Sequence, residues 1–274
     1  MLIARTLADL RRNLSELGPV GLVPTMGALH RGHLSLITAA KDAGLPVAAS
    51  IFVNPTQFSP SEDFNVYPRD EPGDLALLEA AGCDLVWLPT PDIMYPKGHA
   101  TTIHIAGPAM RWEGHIRPTH FAGVATVVAK LLAQIRPAAA YFGEKDWQQI
   151  QVISRMVEDL LIPTTITAVP TFRETDGLAL SSRNRFLLPG ERAIAPVLYA
   201  ALTHAAKNLT TGHDVETTLQ NAKHQIADAG LTPDYVAFVH AQTLEPLTSL
   251  IKPSRLLAAA RLKHVRLLDN IAVV

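Results

Sequence analysis

Short apolar runs rich in β-branched residues recur along the first two-thirds of the chain, separated by stretches in which apolar residues return every third or fourth position. A uniformly apolar run reads as a strand covered on both faces, and a period near 3.6 reads as a helix packed along one stripe. The pattern predicts strands over residues 20–24, 47–53, 84–88, 138–142 and 165–169. It predicts helices over 33–43, 76–82, 121–135 and 146–160. In the first of these, Leu34, Ile37 and Lys41 fall at helical intervals before Gly44 stops the segment. Strands alternating with helices are the signature of βαβ units on a parallel sheet, so the expected class is α/β.

After Phe172 the texture changes: a polar loop running through Asn184 leads to Pro189, a residue suited to a helix start. Helical spacing follows over 193–209 and 215–230, and apolar strands return near 235–240, 256–260 and 265–268. These features divide the chain into a parallel-sheet domain, 1–172, and a small α+β lid domain, 173–274. There is no tandem repeat, low-complexity tract or charge run.

Composition removes several function classes. In 274 residues, 24 Lys and Arg stand against 25 Asp and Glu, so no bulk field favours a nucleic-acid partner. The single cysteine, Cys83, excludes an intramolecular disulfide framework and a multi-cysteine zinc site, which fits a cytoplasmic location. The start, Met1-Leu2-Ile3-Ala4-Arg5-Thr6, has no apolar core of an export signal. Segment 124–135, interrupted by Lys130, falls far short of the roughly 20 apolar residues of a membrane span. The expectation is a soluble protein without a membrane partner.

The first segment that carries chemistry is Pro24-Thr25-Met26-Gly27-Ala28-Leu29-His30-Arg31-Gly32-His33, between a buried strand and a helix. Open parallel sheets bind ligands at such junctions. Glycines allow close backbone approach to an anion, and a helix start presents unpaired N–H groups that can seat phosphate. Gly27 and Gly32 have P-loop spacing, but His33 stands where that loop needs lysine, so this is not a Walker motif. His30 and His33 can each donate to phosphate oxygens and can act as cations if they take up a proton. A histidine at a helix start also serves as a cap or surface group, and a zinc pair is a third reading, though no third ligand lies nearby in sequence.

Residues 26–33 resemble the HxGH element of the nucleotidyltransferase superfamily. Four further segments narrow the resemblance: Ser50-Ile51-Phe52-Val53-Asn54-Pro55-Thr56-Gln57-Phe58, Tyr67-Pro68-Arg69, Phe142-Gly143-Glu144-Lys145-Asp146-Trp147-Gln148-Gln149 and Asp176-Gly177-Leu178-Ala179-Leu180-Ser181-Ser182-Arg183-Asn184. In this order they resemble the pantothenate synthetase family, from Met1 to an ending at Arg266-Leu267-Leu268-Asp269-Asn270. The resemblance implies a Rossmann-like first domain, a homodimer, and an ATP-dependent ligase that joins pantoate to β-alanine through pantoyl adenylate, releasing pyrophosphate and AMP.

Attack at an α-phosphorus concentrates negative charge on nonbridging and leaving oxygens, so the site needs fixed cations and donors rather than a covalent nucleophile. His30, His33, Lys145, Ser181, Ser182 and Arg183 are the candidate catalytic residues. Lys145 follows an apolar strand, where it can bridge phosphate oxygens, although Glu144-Lys145-Asp146 alone also reads as a charged helix start. Ser181-Ser182-Arg183 sits in a polar loop that can close over a triphosphate, and also reads as a capping cluster with a surface arginine. The resemblance implies an ATP site of residues 24–30, Gly32, His33, Gly143, Glu144, Lys145, Asp146, Val169, Leu180 and 181–183. It assigns Gln57 and Gln149 to pantoate, with Asn54 and Met26 in support.

The chain departs from the family in three places. Arg31 stands where an acid is common, and Thr119 where glycine is frequent. Gly73 precedes Asp74 where some members have two adjacent acids associated with magnesium, which leaves Asp74 the candidate metal ligand and Mg2+ arriving with ATP. Another HxGH-type adenylyltransferase, a tRNA-binding module or a noncatalytic ATP-binding protein are the competing readings; the charge balance argues against the second.

Overall fold

The computed structural model describes residues 1–59, 64 and 66–274. Its backbone contacts divide it into two units, Met1–Gly143 with Gln149–Pro170, and Glu144–Gln148 with Thr171–Val274. The second unit thus combines five residues from the middle of the chain with the segment from Thr171 to the last residue.

The first unit is built on β1 (Leu2–Ala4), α1 (Leu7–Leu17), β2 (Gly21–Thr25), α2 (Arg31–Asp42), β3 (Val47–Ile51), α3 (Glu71–Ala80), β4 (Leu85–Trp87), two single-turn helices α4 (Pro91–Met94) and α5 (Glu113–Ile116), α6 (His120–Ile135), β5 (Ala139–Gly143), α7 (Trp147–Asp159, its first two residues counted with the other unit) and β6 (Thr165–Val169). The six strands form one sheet in the order β1-β4-β3-β2-β5-β6, every pair parallel. This is the expected Rossmann-like α/β arrangement. The five predicted strands are present, with ends moved by at most two residues; apolar runs such as Val47-Ala48-Ala49 are buried on both faces, while the edge strand β6, Thr165-Ile166-Thr167-Ala168-Val169, is only partly covered. β1 and α1 fall outside the sequence prediction: three residues are too few to show alternation, although Thr6 caps α1 by accepting from the Asp9 N–H at 3.1 Å.

The strand order reverses at β2, which has β3 on one side and β5 on the other. β2 and β3 pair at all five positions, whereas β2 and β5 pair only at Gly21 with Ala139 and Leu22 with Ala140. The two strands therefore part toward their C-terminal ends, at the topological switch point where doubly wound sheets bind ligands.

In the second unit, α8 (Pro189–Ile194), α9 (Val197–Thr210) and α10 (Val215–Asp228) precede an antiparallel sheet, β7-β8-β9 (Thr232–His240, Ser254–Leu262, Val265–Val273). Its core includes Leu198, Leu202, Ile226, Phe238 and Leu256. The helix expected over 193–209 is divided at Pro196, which begins α9 and supplies no N–H to continue α8. β8 and β9 are longer than their apolar cores because the buried polar residues Arg255, Asp269 and Asn270 belong to them.

Candidate active site

The turn after β2 is built around a buried carboxylate. Thr25 Oγ1 donates to the Ser50 carbonyl at 2.8 Å and accepts the Gly27 N–H at 3.2 Å, closing the end of β2. Gly27 and Ala28 then take left-handed conformations, φ +80° and +52°. The following amides turn toward Asp74 on α3: the Ala28 N–H donates to Oδ2 at 2.8 Å and the Leu29 N–H to Oδ1 at 2.7 Å. Asp74 is only 3% exposed, so these are charge-assisted bonds in a dry setting. At Gly73, a Cβ would begin 2.8 Å from Asp70 Cγ, so the N-cap carboxylate of α3 occupies the space a side chain there would need.

The turn delivers the histidine pair to the start of α2. His30 caps the helix, its Nδ1 accepting the Gly32 N–H at 3.2 Å, and His33 Nδ1 accepts the His30 N–H at 3.3 Å. The capping reading and the chemical reading of this pair are thus compatible. An Nδ1 that accepts carries no proton, so each neutral ring holds its proton on Nε2. The rings lie 4.1 Å apart, centroid to centroid, tilted by 31°. Arg31 is exposed between them, and Thr119 is exposed at the start of α6.

A second cluster lies in the 3-10 turn Pro55–Gln57, after β3. Asn54 is 1% exposed and saturated: its Nδ2 donates to Gln57 Oε1 at 3.1 Å and to the Gly123 carbonyl at 3.2 Å. Its Oδ1 accepts from Tyr95 Oη at 2.6 Å, Thr56 Oγ1 at 3.0 Å and the Thr56 N–H at 3.3 Å. These bonds fix the Gln57 amide, whose Nε2 faces Met26 Sδ at 3.0 Å. A Cβ on Gly123 would lie 2.6 Å from the Gln57 nitrogen, so α6 can support the turn this closely only through glycine. Burial pushes the Tyr95 hydroxyl's pKa up, against the lowering effect of its bonds to Thr56 and Asn54. Gln149 is half-buried on α7, and Val169 is buried at the end of β6 beside Gly143.

The remaining expected residues belong to the second unit. Lys145, in the turn Glu144–Asp146, lies 3.7 Å from the Asp146 carboxylate and keeps about a fifth of its side chain exposed. Asn270 on β9 donates through Nδ2 to the carbonyls of Glu144 and Lys145, each at 2.8 Å. The Arg255 guanidinium bonds Asn270 Oδ1, pairs with Glu144 at 2.9 Å and stacks on the Trp147 indole at 3.6 Å. Burial pulls its pKa down while Glu144 pushes the other way. Ser181 begins the 3-10 turn Ser182–Phe186 by accepting the Arg183 N–H at 3.3 Å, and Leu180, half-buried, precedes it. Upstream, Arg173 makes a bidentate pair with Asp269, at 2.6 and 2.8 Å, and lies over Tyr199.

Asp74 as a loop anchor, and Tyr95, Gly123 and Arg255 altogether, lay outside the sequence reading, and Asn270 entered it only as part of the family's ending. For Gly123, Arg255 and Asn270 the sequence signal is a glycine or polar residue inside a largely apolar element. Among the described residues, no three His, Cys, Asp or Glu side chains converge in a way that could hold a metal, and no helix is long and apolar enough to cross a membrane.

A switch-point turn braced by a buried carboxylate and followed by a histidine pair at a helix start, on a six-stranded parallel sheet, defines an α/β protein of the doubly wound class. Comparison with known proteins makes the class specific. The family described as "Pantoate-beta-alanine ligase" matches residues 2–272, and the chain belongs to that family. The pantothenate synthetase of Acidiphilium cryptum is 54% identical over the full length of both chains, and that of Granulibacter bethesdensis is 53% identical over 99% of this chain and 96% of its own. Among solved structures, pantothenate synthetase from Thermus thermophilus superposes with a TM-score of 0.96 at 47% identity, covering 100% of this chain and 99% of the other. A pantoate-β-alanine ligase from Francisella tularensis, complexed with β-γ ATP and β-alanine, gives 0.84 at 35% identity, covering 99% and 97%.

Proposed function

We propose that the chain condenses pantoate with β-alanine in two steps. A pantoate carboxylate oxygen attacks the α-phosphorus of ATP, and pyrophosphate leaves. The β-alanine nitrogen then attacks the acyl carbon of pantoyl adenylate, the C–N bond forms, AMP departs and the amine gives up its proton. The observation that carries this reading is the histidine pair at the start of α2, whose two Nδ1 atoms accept backbone amides and so fix the orientation of both rings.

In this reading the turn 24–29 and Gly32 receive the nucleotide, and His30 and His33 donate to phosphate oxygens. Lys145, two residues beyond the end of β5, compensates charge developing at the phosphates, together with Ser181, Ser182 and Arg183. Gly143, Asp146, Val169 and Leu180 contribute to nucleotide binding. Glu144 acts through Arg255, to which it is bound. Gln57 and Gln149 hold pantoate beside Met26, and Asn54, already saturated, orients Gln57. Asp74 holds the nucleotide turn by its amides. Among the described residues no three His, Cys, Asp or Glu side chains converge on a metal position, and Mg2+ is assigned to the nucleotide's own phosphates and water. The family resemblance extends the proposal to a cytoplasmic homodimer, which sedimentation and fractionation would test.

The decisive assay supplies ATP and pantoate without β-alanine. Pyrophosphate release, and incorporation of labelled pyrophosphate into ATP, are expected from the first step alone, with AMP appearing when β-alanine is added. Exchange that strictly requires β-alanine would overturn the two-step order.

A further inference from the structure

We infer that Asn270, on the last strand of the second unit, is a positioning residue for the first step. It holds the carbonyls of the two peptides that flank the Lys145 Cα and so sets where the Lys145 ammonium stands. The inference rests on the role proposed for Lys145.

A lysine side chain has four rotatable bonds, so a fixed Nζ position requires at minimum a fixed backbone. The turn Glu144–Asp146 is only three residues long and cannot supply that rigidity itself. Asn270 reaches it across a sequence separation of 125 residues, using both amide hydrogens on consecutive carbonyls, 2.8 Å to Glu144 and 2.8 Å to Lys145. Asn270 is 4% exposed, and its orientation is not a matter of choice. Its Oδ1 faces the Arg255 guanidinium, a group with no acceptor, so the NH2 must face the carbonyls. Arg255 is itself fixed on three sides, by Asn270, by Glu144 at 2.9 Å and by the Trp147 ring at 3.6 Å. Trp147 Nε1 donates to the Ala241 carbonyl at 2.7 Å, tying the start of α7 to the end of β7.

The neighbouring residue performs a parallel task. Asp269 takes the Arg173 guanidinium in a bidentate pair, and Arg173 also donates to the Gly177 carbonyl at 3.0 Å, bracing the turn upstream of Ser181-Ser182-Arg183. Adjacent residues of one strand thus hold the two segments to which the first-step cations are assigned.

Asn270→Asp is the discriminating variant. It keeps an oxygen for Arg255 but replaces the two donors with a second oxygen facing the carbonyls. Pantoate-dependent pyrophosphate exchange is expected to fall about 10–100-fold, the scale for losing a group that orients another. The reaction of preformed pantoyl adenylate with β-alanine should stay within about twofold of wild type, and pantoate KM should change little. Combined with Lys145→Ala, the variant should add no further loss, as expected when two residues act as one unit. Hydrogen exchange of a peptide spanning 143–146 should quicken. If Asn270→Asp does not fold, Asn270→Ser removes the amide without adding charge and is held to the same outcomes.

Equal loss in both half-reactions, additivity with Lys145→Ala, or unchanged hydrogen exchange would overturn the inference. If Lys145→Ala itself shows no first-step defect, the Lys145 role fails and this inference fails with it. If Lys145→Ala shows that defect and Asn270→Asp does not, the Lys145 role stands and only the positioning role is lost.

Discussion

A Cβ placed on Gly27 would begin 2.7 Å from Asp74 Oδ2, in the space through which the carboxylate reaches the amides of Ala28 and Leu29. Gly27 also sits at φ +80°, a conformation costly for any L side chain. Gly27→Ala is therefore expected to displace the turn and lower pantoate-dependent pyrophosphate exchange by about 10–100-fold, with ATP KM raised. Steady-state kinetics at varied ATP check this; wild-type kinetics would show that the turn tolerates the side chain.

Asp74→Ala would leave two buried N–H groups without their acceptor, at about 1–3 kcal/mol each. Thermal stability and the first half-reaction should both fall. Excess magnesium should restore neither, because the lost interactions are with backbone amides. Rescue by magnesium would identify Asp74 as a metal ligand.

Lys145 and Gln57 should separate kinetically. Lys145→Ala is expected to slow adenylate formation by about 10²–10³, the scale for deleting a preorganised donor. Preformed pantoyl adenylate should bypass most of that defect. Gln57→Ala should raise pantoate KM more than it lowers kcat. The reverse pattern would exchange their roles.

Tyr95→Phe removes the 2.6 Å bond that holds Asn54 Oδ1, and with it one constraint on the Gln57 amide. One hydrogen bond of about 0.5–1.5 kcal/mol corresponds to a pantoate KM increase of roughly two- to tenfold. ATP KM should be unchanged, and a change in ATP KM alone would contradict the arrangement.

Burial pushes the Cys83 thiol up to about 11, overriding the lowering effect of its backbone bonds. The native thiol should resist alkylation at neutral pH and react readily once unfolded. The unfolded thiol ionises first, near its ordinary value of about 8.5, so the stability contributed by the neutral native form is full below that pH. It is lost as pH rises toward about 11, at a limiting slope of about 1.4 kcal/mol per pH unit. Denaturant melts of wild type and Cys83→Ala across that range should differ by this slope, and parallel curves would exclude it.

The alternation of apolar runs and helical spacing was enough to read out the α/β class and five of the six sheet strands, four of them because burial on both faces requires uniform hydrophobicity whatever the strand order, and the edge strand β6 through its β-branched residues. The histidine turn was legible for a related reason: glycines and histidines at a strand-to-helix junction are interpretable locally. Strand order was not, because the opening between β2 and β5 depends on which strands become neighbours. Nor were Asp74, Tyr95 and Asn270 legible as supports. Asp74 meets residues 45 and 46 positions away, Tyr95 meets Asn54 across 41, and Asn270 meets Lys145 across 125. The sequence by itself determined which segments could be strands, helices and glycine-bearing turns between them, through periodicity and local backbone preference. Only the tertiary structure decided which buried polar side chains hold those turns, because a buried donor or acceptor must find a partner in space, and chain order does not say where that partner lies.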